Sequence, residues 1–231
     1  MKKINLLRAT VLFLWVLSFS SCSSDSSSES FGTSTGNYWP MAVNNVWNLD
    51  ADGVTQQVKL TGTATFGGTT YYELIDEGAT ETYGVKTYMT KKGAIYYQKT
   101  SDLNTIENGV TISMKSYEMP ILKDDLQVNE TWSGTLSPKL NYSYGGTSGT
   151  LPVTINYNGK IIARDAAETI NGVTYTDIIK TTLKAETNIN GQVTVIDSEY
   201  WYAKNIGPIR ESQTIDGSSP IVRTLLTYTL N

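Results

Sequence analysis

The chain has no histidine and a single cysteine. Without histidine there is no Ser-His-Asp triad, no imidazole proton shuttle and no His-based zinc site. One cysteine excludes an intrachain disulfide framework. Charge is sparse as well, at 17% of residues against roughly 25% in an average globular protein. The 18 basic and 22 acidic residues give a net charge of −4, the wrong sign for a nucleic-acid partner. No phosphate-binding loop, dinucleotide fingerprint, Gly-x-Ser-x-Gly elbow or metal-spaced cluster is found. The expectation is therefore a protein with no catalytic residues, no cofactor and no metal, and not an enzyme.

What is present begins with an address. Lys2, Lys3 and Arg8 precede a short apolar run over residues 11–17, followed by the small residues Ser18, Ser20 and Ser21. This is the layout of a secretory signal over residues 1–21. The run falls well short of the roughly 20 residues a membrane-spanning helix needs. Cys22 follows directly. The segment Phe19-Ser20-Ser21-Cys22 resembles a bacterial lipobox, with Phe where Leu is usual. That resemblance implies lipidation at Cys22 by diacylglycerol and N-terminal acylation with chains such as palmitate, which together form a stable membrane anchor. The run Ser23-Ser24-Asp25-Ser26-Ser27-Ser28-Glu29-Ser30 cannot build a core and reads as a flexible tether, taken to span 22–37 with Cys22. Its acidic, Ser-rich start resembles lipoprotein export tags of Bacteroidota-type cells, and equally a plain solvated linker. Removing residues 1–21 takes Lys2, Lys3 and Arg8 from the 18 basic residues and none of the 22 acidic ones, so the charge moves from −4 to −7. Anionic lipid head groups would repel such a body, which leaves the anchoring to the lipid. The expected place is the cell envelope, as an outer-membrane lipoprotein.

The remaining segment, 38–231, reads as a single all-β domain. Thr and Tyr are abundant, and both favour strands. Seven dipeptides mark candidate hairpin turns: Asp52-Gly53, Gly67-Gly68, Asn108-Gly109, Asn158-Gly159, Asn171-Gly172, Asn190-Gly191 and Asp216-Gly217. Such pairs supply the positive φ that tight hairpins require. No amphipathic helix stands out; the best candidate, residues 123–128, is short enough to be one turn. Residues 173–186 alternate, with Val173, Tyr175, Ile179, Leu183 and Ala185 on one face and a break at Asp177 and Ile178. Near the end, Pro220, Val222, Leu226, Tyr228 and Leu230 alternate against Arg223, Thr227 and Thr229. Fourteen extended residues span about 48 Å, and strands of that length must twist and coil. The expected fold is an antiparallel meander forming a barrel, a half-barrel or a strongly curved sheet. Its faces are too polar for a transmembrane barrel.

Two stretches match each other. The segment 65–75 aligns with 169–179, Val43 to Trp47 with Val128 to Trp132, and Tyr88 and Gly93 with Tyr202 and Gly207. The offset grows from 85 to 104 to 114, so insertions separate two copies of one strand unit, approximately 38–120 and 121–231. One insertion includes the Gly/Ser/Tyr-rich stretch 137–149, which reads as a loop.

Two blocks resemble known proteins: Tyr38-Trp39-Pro40 leading to Trp47, and Trp201-Tyr202-Ala203 leading to Gly207-Pro208-Ile209. They are similar to blocks that bracket a class of uncharacterised secreted bacterial lipoproteins of Bacteroidota type, with Asn44 or Asn45 here in place of the usual Gly. The resemblance implies an open-barrel, lipoprotein-carrier-like or lipocalin-like fold. It brings no catalytic residues.

Individual candidates are few. Trp47, Trp132 and Trp201 fit core packing better than an aromatic ligand platform; Trp39, before Pro40, is expected to be more exposed. Asp50 and Asp52 echo part of a calcium loop but lack its other ligands, which favours a hairpin turn. Asp76 and Glu77, adjacent on a strand, should point to opposite faces. Tyr142, Tyr144 and Tyr157 surround the Gly-rich insertion and suit adaptable recognition as well as no role at all. Ligand-binding residues stay unknown. A curved meander offers a concave face, and the expected role is a binding or carrier module for a hydrophobic ligand. The alternative is an accessory subunit of an envelope complex, with a filled core and a protein partner.

Overall fold

A computed structural model describes residues 31–79 and 84–231; the signal, Cys22 and the Ser-rich run lie outside the described residues. The chain forms β1 (Val46–Ala51), β2 (Val54–Phe66), β3 (Thr69–Asp76), β4 (Thr87–Lys92), β5 (Ile95–Thr100), β6 (Leu103–Glu107), β7 (Val110–Met114), β8 (Glu118–Lys123), β9 (Thr131–Leu136), β10 (Lys139–Tyr144), β11 (Thr147–Ile170), β12 (Val173–Ile189), β13 (Gln192–Ala203), β14 (Gly207–Ile215) and β15 (Ile221–Thr229). All pairings are antiparallel, and the described residues contain no helix. The expected all-β class holds, as one curved, unclosed sheet of 15 strands.

Turn chemistry sets most of the corners. Asn108 and Gly109, Asn171 and Gly172, and Asn190 and Gly191 all have positive φ, the conformation of a two-residue hairpin turn that matches strand twist. Asp52-Gly53, Gly67-Gly68 and Asp216-Gly217 also lie between strands. Asn158-Gly159 does not. It sits inside β11, where Gly159 pairs with Trp132 of β9. A Cβ at Gly159 would stand 2.1 Å from Trp132 Cε2, so this glycine serves close approach of an indole. The stretch 137–149 is no loop either. It supplies β10 and the start of β11, turned by Gly145-Gly146.

The repeat is visible in the strand order. β1-β2-β3-β4-β5-β8 form one meander of six strands and β9-β11-β12-β13-β14-β15 form another in the same order. Pairing of β15 with β1 fuses them. The extra pieces, β6-β7 in the first copy and β10 with residues 147–152 in the second, pair through β7 and β10. They build a small four-stranded annex. β11 runs without a register break from Thr147 to Ile161, so the annex prolongs the sheet beyond the β12–β13 turn.

Long strands coil through bulges. Register slips in the β11–β12 ladder occur between Ile161 and Glu168, and Asp165 and Asp177 have φ of 50° and 52°. The break read at Asp177 and Ile178 is therefore a bulge, after which Ile179, Thr181, Leu183, Ala185, Thr187 and Ile189 face inward, all buried. In β15 the alternating stripe is not the buried one. Leu226 and Tyr228 are 39% and 42% exposed while Leu225 is fully buried, because a bulge opposite Asn48 and Leu49 shifts the register.

The residues 31–37, read as the end of the tether, are held against the body. Phe31 O accepts from Ala94 N (2.8 Å) and Asn37 O from Asn205 N (2.6 Å). These contacts fall at the β4–β5 and β13–β14 turns, the end of the sheet away from the annex.

Candidate functional site

The concave side of the sheet is the natural place for a ligand, and it is filled. Trp47, Leu49, Leu60, Met89, Tyr96, Met119, Leu122 and Ile155 are each at most 1% exposed and belong to one contiguous cluster. Trp39 is buried too, contrary to expectation. Its ring lies edge-on to Trp47 at 6.0 Å and tilted to Tyr202 at 5.8 Å, because the extended segment that carries it packs against the core of the sheet. Trp47 donates to Ile206 O (2.7 Å) and Trp132 to Pro120 O (3.1 Å), so both indoles act as core anchors with a satisfied polar edge. Trp201 is half-buried and no open platform. Lys180 Nζ lies 3.6 Å and Arg210 Cζ 4.7 Å from its ring centroid.

Above this core lies a charged cluster. Arg223 on β15 makes two bonds of 2.6 Å to Asp76 Oδ1 and Oδ2 at the end of β3, and its Nε donates to Glu211 of β14. β1 and β2 separate β15 from β3 in the sheet, so the pair closes across the concavity. One guanidinium thus faces two carboxylates. Burial pushes the Glu211 carboxyl above its ordinary value, against the pull of Arg223 and with the help of Asp76. Glu77, in the turn just after β3, points elsewhere, to Lys59 and the Gln57 backbone N–H. Two facing carboxylates thus exist, but the arginine occupies them both, and a glycosidase pair needs free ones. Sequence reading missed this cluster because Asp76 lies 135 and 147 positions from Glu211 and Arg223, which face each other across the β14–β15 hairpin; only inward parity on their strands hinted at it.

A second polar knot clasps the open seam between β8 and β9. Asp124 is fully buried. It accepts from Ser34 Oγ (2.7 Å), Thr35 N (2.9 Å) and Lys91 Nζ (2.9 Å). Arg164 of β11 donates to Asp124 O and Leu126 O, both at 2.6 Å. These bonds tie the N-terminal segment, β4, β8 and β11 together at the near end. Burial pushes the neighbouring Tyr96 hydroxyl up, so it stays a neutral donor and acceptor.

The annex carries a cleft of a different character. Thr111 and Ser113 of β7, Asn141, Tyr142 and Ser143 of β10, and Ser148, Gly149 and Thr150 of β11 line a shallow cleft of about 320 Å³. The register sets six of them in two cross-strand rows, Thr111–Ser143–Ser148 and Ser113–Asn141–Thr150. Thr150 Oγ1 donates to Asn141 Oδ1 (2.8 Å). The opposite face of the annex buries Ile112, Met114 and Leu140, and Tyr142 lies over Gly149 there. The sequence signal was Ser, Thr or Asn at every second position of three segments, masked by the reading of 137–149 as a loop. Asp50 and Asp52 form a plain turn, with Gly53 N donating to Asp50 Oδ1 (3.0 Å). Among the described residues no group of acidic or sulfur side chains could hold a metal.

No family model matches the chain, and no curated protein does. Two solved structures are similar over 83% of this chain and 98% of theirs. One, described as a candidate lipoprotein, is from Parabacteroides distasonis, with 15% identity and a TM-score of 0.46. The other, from Bacteroides fragilis, is described as a candidate exported protein with a YmcC-like fold, with 11% identity and a TM-score of 0.45.

Proposed function

We propose that the chain is an outer-membrane lipoprotein, exported by residues 1–21, acylated at Cys22, and acting without chemistry of its own as an accessory or binding protein that works through its surface. The observation that carries this reading is the filled interior: the concave face that a carrier would keep free is taken up by Trp47, Leu60, Met89 and Tyr96, none above 0% exposed. The absence of histidine and the arginine-bound carboxylates of Asp76 and Glu211 support a non-enzymatic role. The long coiled strands β11 and β12, of 24 and 17 residues, favour a second reading. There the sheet carries a hydrophobic ligand, which would have to displace that packing at a cost of several kcal/mol per large side chain.

Native mass spectrometry of the complete chain, purified from its own host in a mild detergent, separates the two. The expected mass is that of the acylated protein alone. A discrete additional lipid, lost on denaturation and absent from a control lipoprotein treated alike, would overturn the filled-interior reading in favour of the carrier.

A further inference from the structure

The cleft on the annex is lined by six Ser, Thr and Asn residues together with Tyr142 and Gly149, and no Asp, Glu, Lys or Arg lines it. The charges nearest to it on the annex strands are Glu107 at the β6–β7 turn and Lys139, and the Lys115–Asp102 ion pair lies just beyond the strands at the base. We propose that this face is a binding surface for a neutral glycan strand, an uncharged polymer rich in hydroxyls. The proposal rests on the surface-acting reading above and names its ligand class.

Chemistry selects this ligand over the others. A phosphate or an acidic polymer needs lysine or arginine, and a cation needs carboxylates; the cleft offers neither. A lipid would bury hydroxyls without partners, at a few kcal/mol each. A protein interface would present aromatic or arginine anchors at its centre, whereas the one aromatic residue lining this cleft, Tyr142, has its ring laid over Gly149. Sugar hydroxyls both donate and accept, and so do those of Ser and Thr. The Thr150 bond to Asn141 Oδ1 leaves the Asn141 Nδ2 group to donate outward. The two rows run across three strands about 4.8 Å apart and are separated by about 6.8 Å along them. Such a grid is shallow and open to solvent, which suits an extended chain better than a small enclosed molecule. Its floor is rigid, because Ile112, Met114 and Leu140 beneath it belong to the core. Location agrees with this assignment. The annex stands at the end of the sheet remote from Phe31, where the chain leads back to the membrane anchor.

The complete chain in detergent, applied to an array of neutral and acidic oligosaccharides and then titrated by calorimetry with the best neutral one, tests the assignment. Weak binding to neutral glycans, and none to sulfated or phosphorylated ones, is the expected result. The triple variant Thr111→Val, Asn141→Ala, Thr150→Val keeps strand-forming side chains at two of its three positions and should bind at least tenfold more weakly with an unchanged thermal midpoint. Should its midpoint fall, Thr111→Val alone, at an exposed site, replaces it. No glycan bound, preference for acidic glycans, or binding indifferent to these variants would overturn the proposal. A lipid found by native mass spectrometry would instead overturn the filled interior and leave the glycan result standing.

Discussion

Arg223 is the residue on which the upper half of the core depends. It is 12% exposed, with Asp76 at 22% and Glu211 at 17%. Arg223→Ala would leave two carboxylates facing each other with no cation. Breaking a buried pair costs about 3–5 kcal/mol, and partial exposure places this one near 3. Urea denaturation should show that loss, and Arg223→Lys should recover only part of it because a single ammonium cannot span both partners. A loss under 1 kcal/mol for Arg223→Ala would mean water replaces the guanidinium freely. The same cluster sets a pH dependence. Burial holds the Glu211 carboxyl above the ordinary value of 4.5, so the folded state binds its proton more tightly than the unfolded state does. Its stability contribution is complete below 4.5 and declines as pH rises through the raised value. Wild type measured against Glu211→Gln should therefore lose ground as pH increases across that window; a gap that widens in favour of wild type would reverse the assigned sign. None of this was legible in the sequence. Asp76 could be placed on the opposite face from Glu77, but no local pattern says which strands meet across a concavity.

Strands and turns were more legible, because their causes are local. Asn-Gly pairs at 108, 171 and 190 adopt positive φ wherever they appear between strands. The rule fails at Asn158-Gly159, where the neighbour decides: Gly159 lies under Trp132, and two residues away Gly134 lies under Tyr157 in the same β9–β11 ladder. Each aromatic ring covers the glycine opposite it. Gly159→Ala should cost about 2–4 kcal/mol, since its Cβ would overlap an indole locked into the core and force a repacking. Gly53→Ala, where a Cβ meets nothing within 4 Å but φ is +83°, should cost about 1 kcal/mol from backbone strain alone. Thermal melts of the two variants order these effects, and equal losses would show that the indole yields. The stretch 137–149 was misread for a related reason. Glycine, serine and tyrosine make a poor strand by propensity, yet Tyr142 covering Gly149 and the burial of Leu140 supply the packing that propensity lacks. In β15, one bulge at Leu226 moved burial to Leu225, and alternation cannot reveal where a strand takes an extra residue against its partner.

At the scale of the whole molecule, the repeat read from sequence reappears as two meanders in one strand order, but their closure was invisible, since it depends on residues far apart. The seam between β8 and β9 is bridged by side chains and by residues 31–37, which had been read as tether. That docking fixes an orientation. Phe31 is bound at the β4–β5 turn and lies nine positions beyond Cys22, a reach of at most about 30 Å. If Cys22 carries the anchor, the near end of the sheet stays beside the bilayer and the annex points outward. With residues 1–21 removed, the chain's charge of −7 would oppose direct contact with anionic lipid, so the strap rather than adhesion would set proximity. Two photoreactive positions test the geometry in membranes from the native host. One placed at Lys204, exposed in the β13–β14 turn, should label lipid; one at Tyr144, 61% exposed at the tip of the annex, should not. Cys22→Ser should abolish labelling at Lys204 and release the chain from the membrane fraction. Asp124→Ala, which cuts the clasp, should blur the difference between the two positions while leaving the chain in the membrane. Equal labelling at both positions in the unaltered clasp would show that the strap does not orient the body.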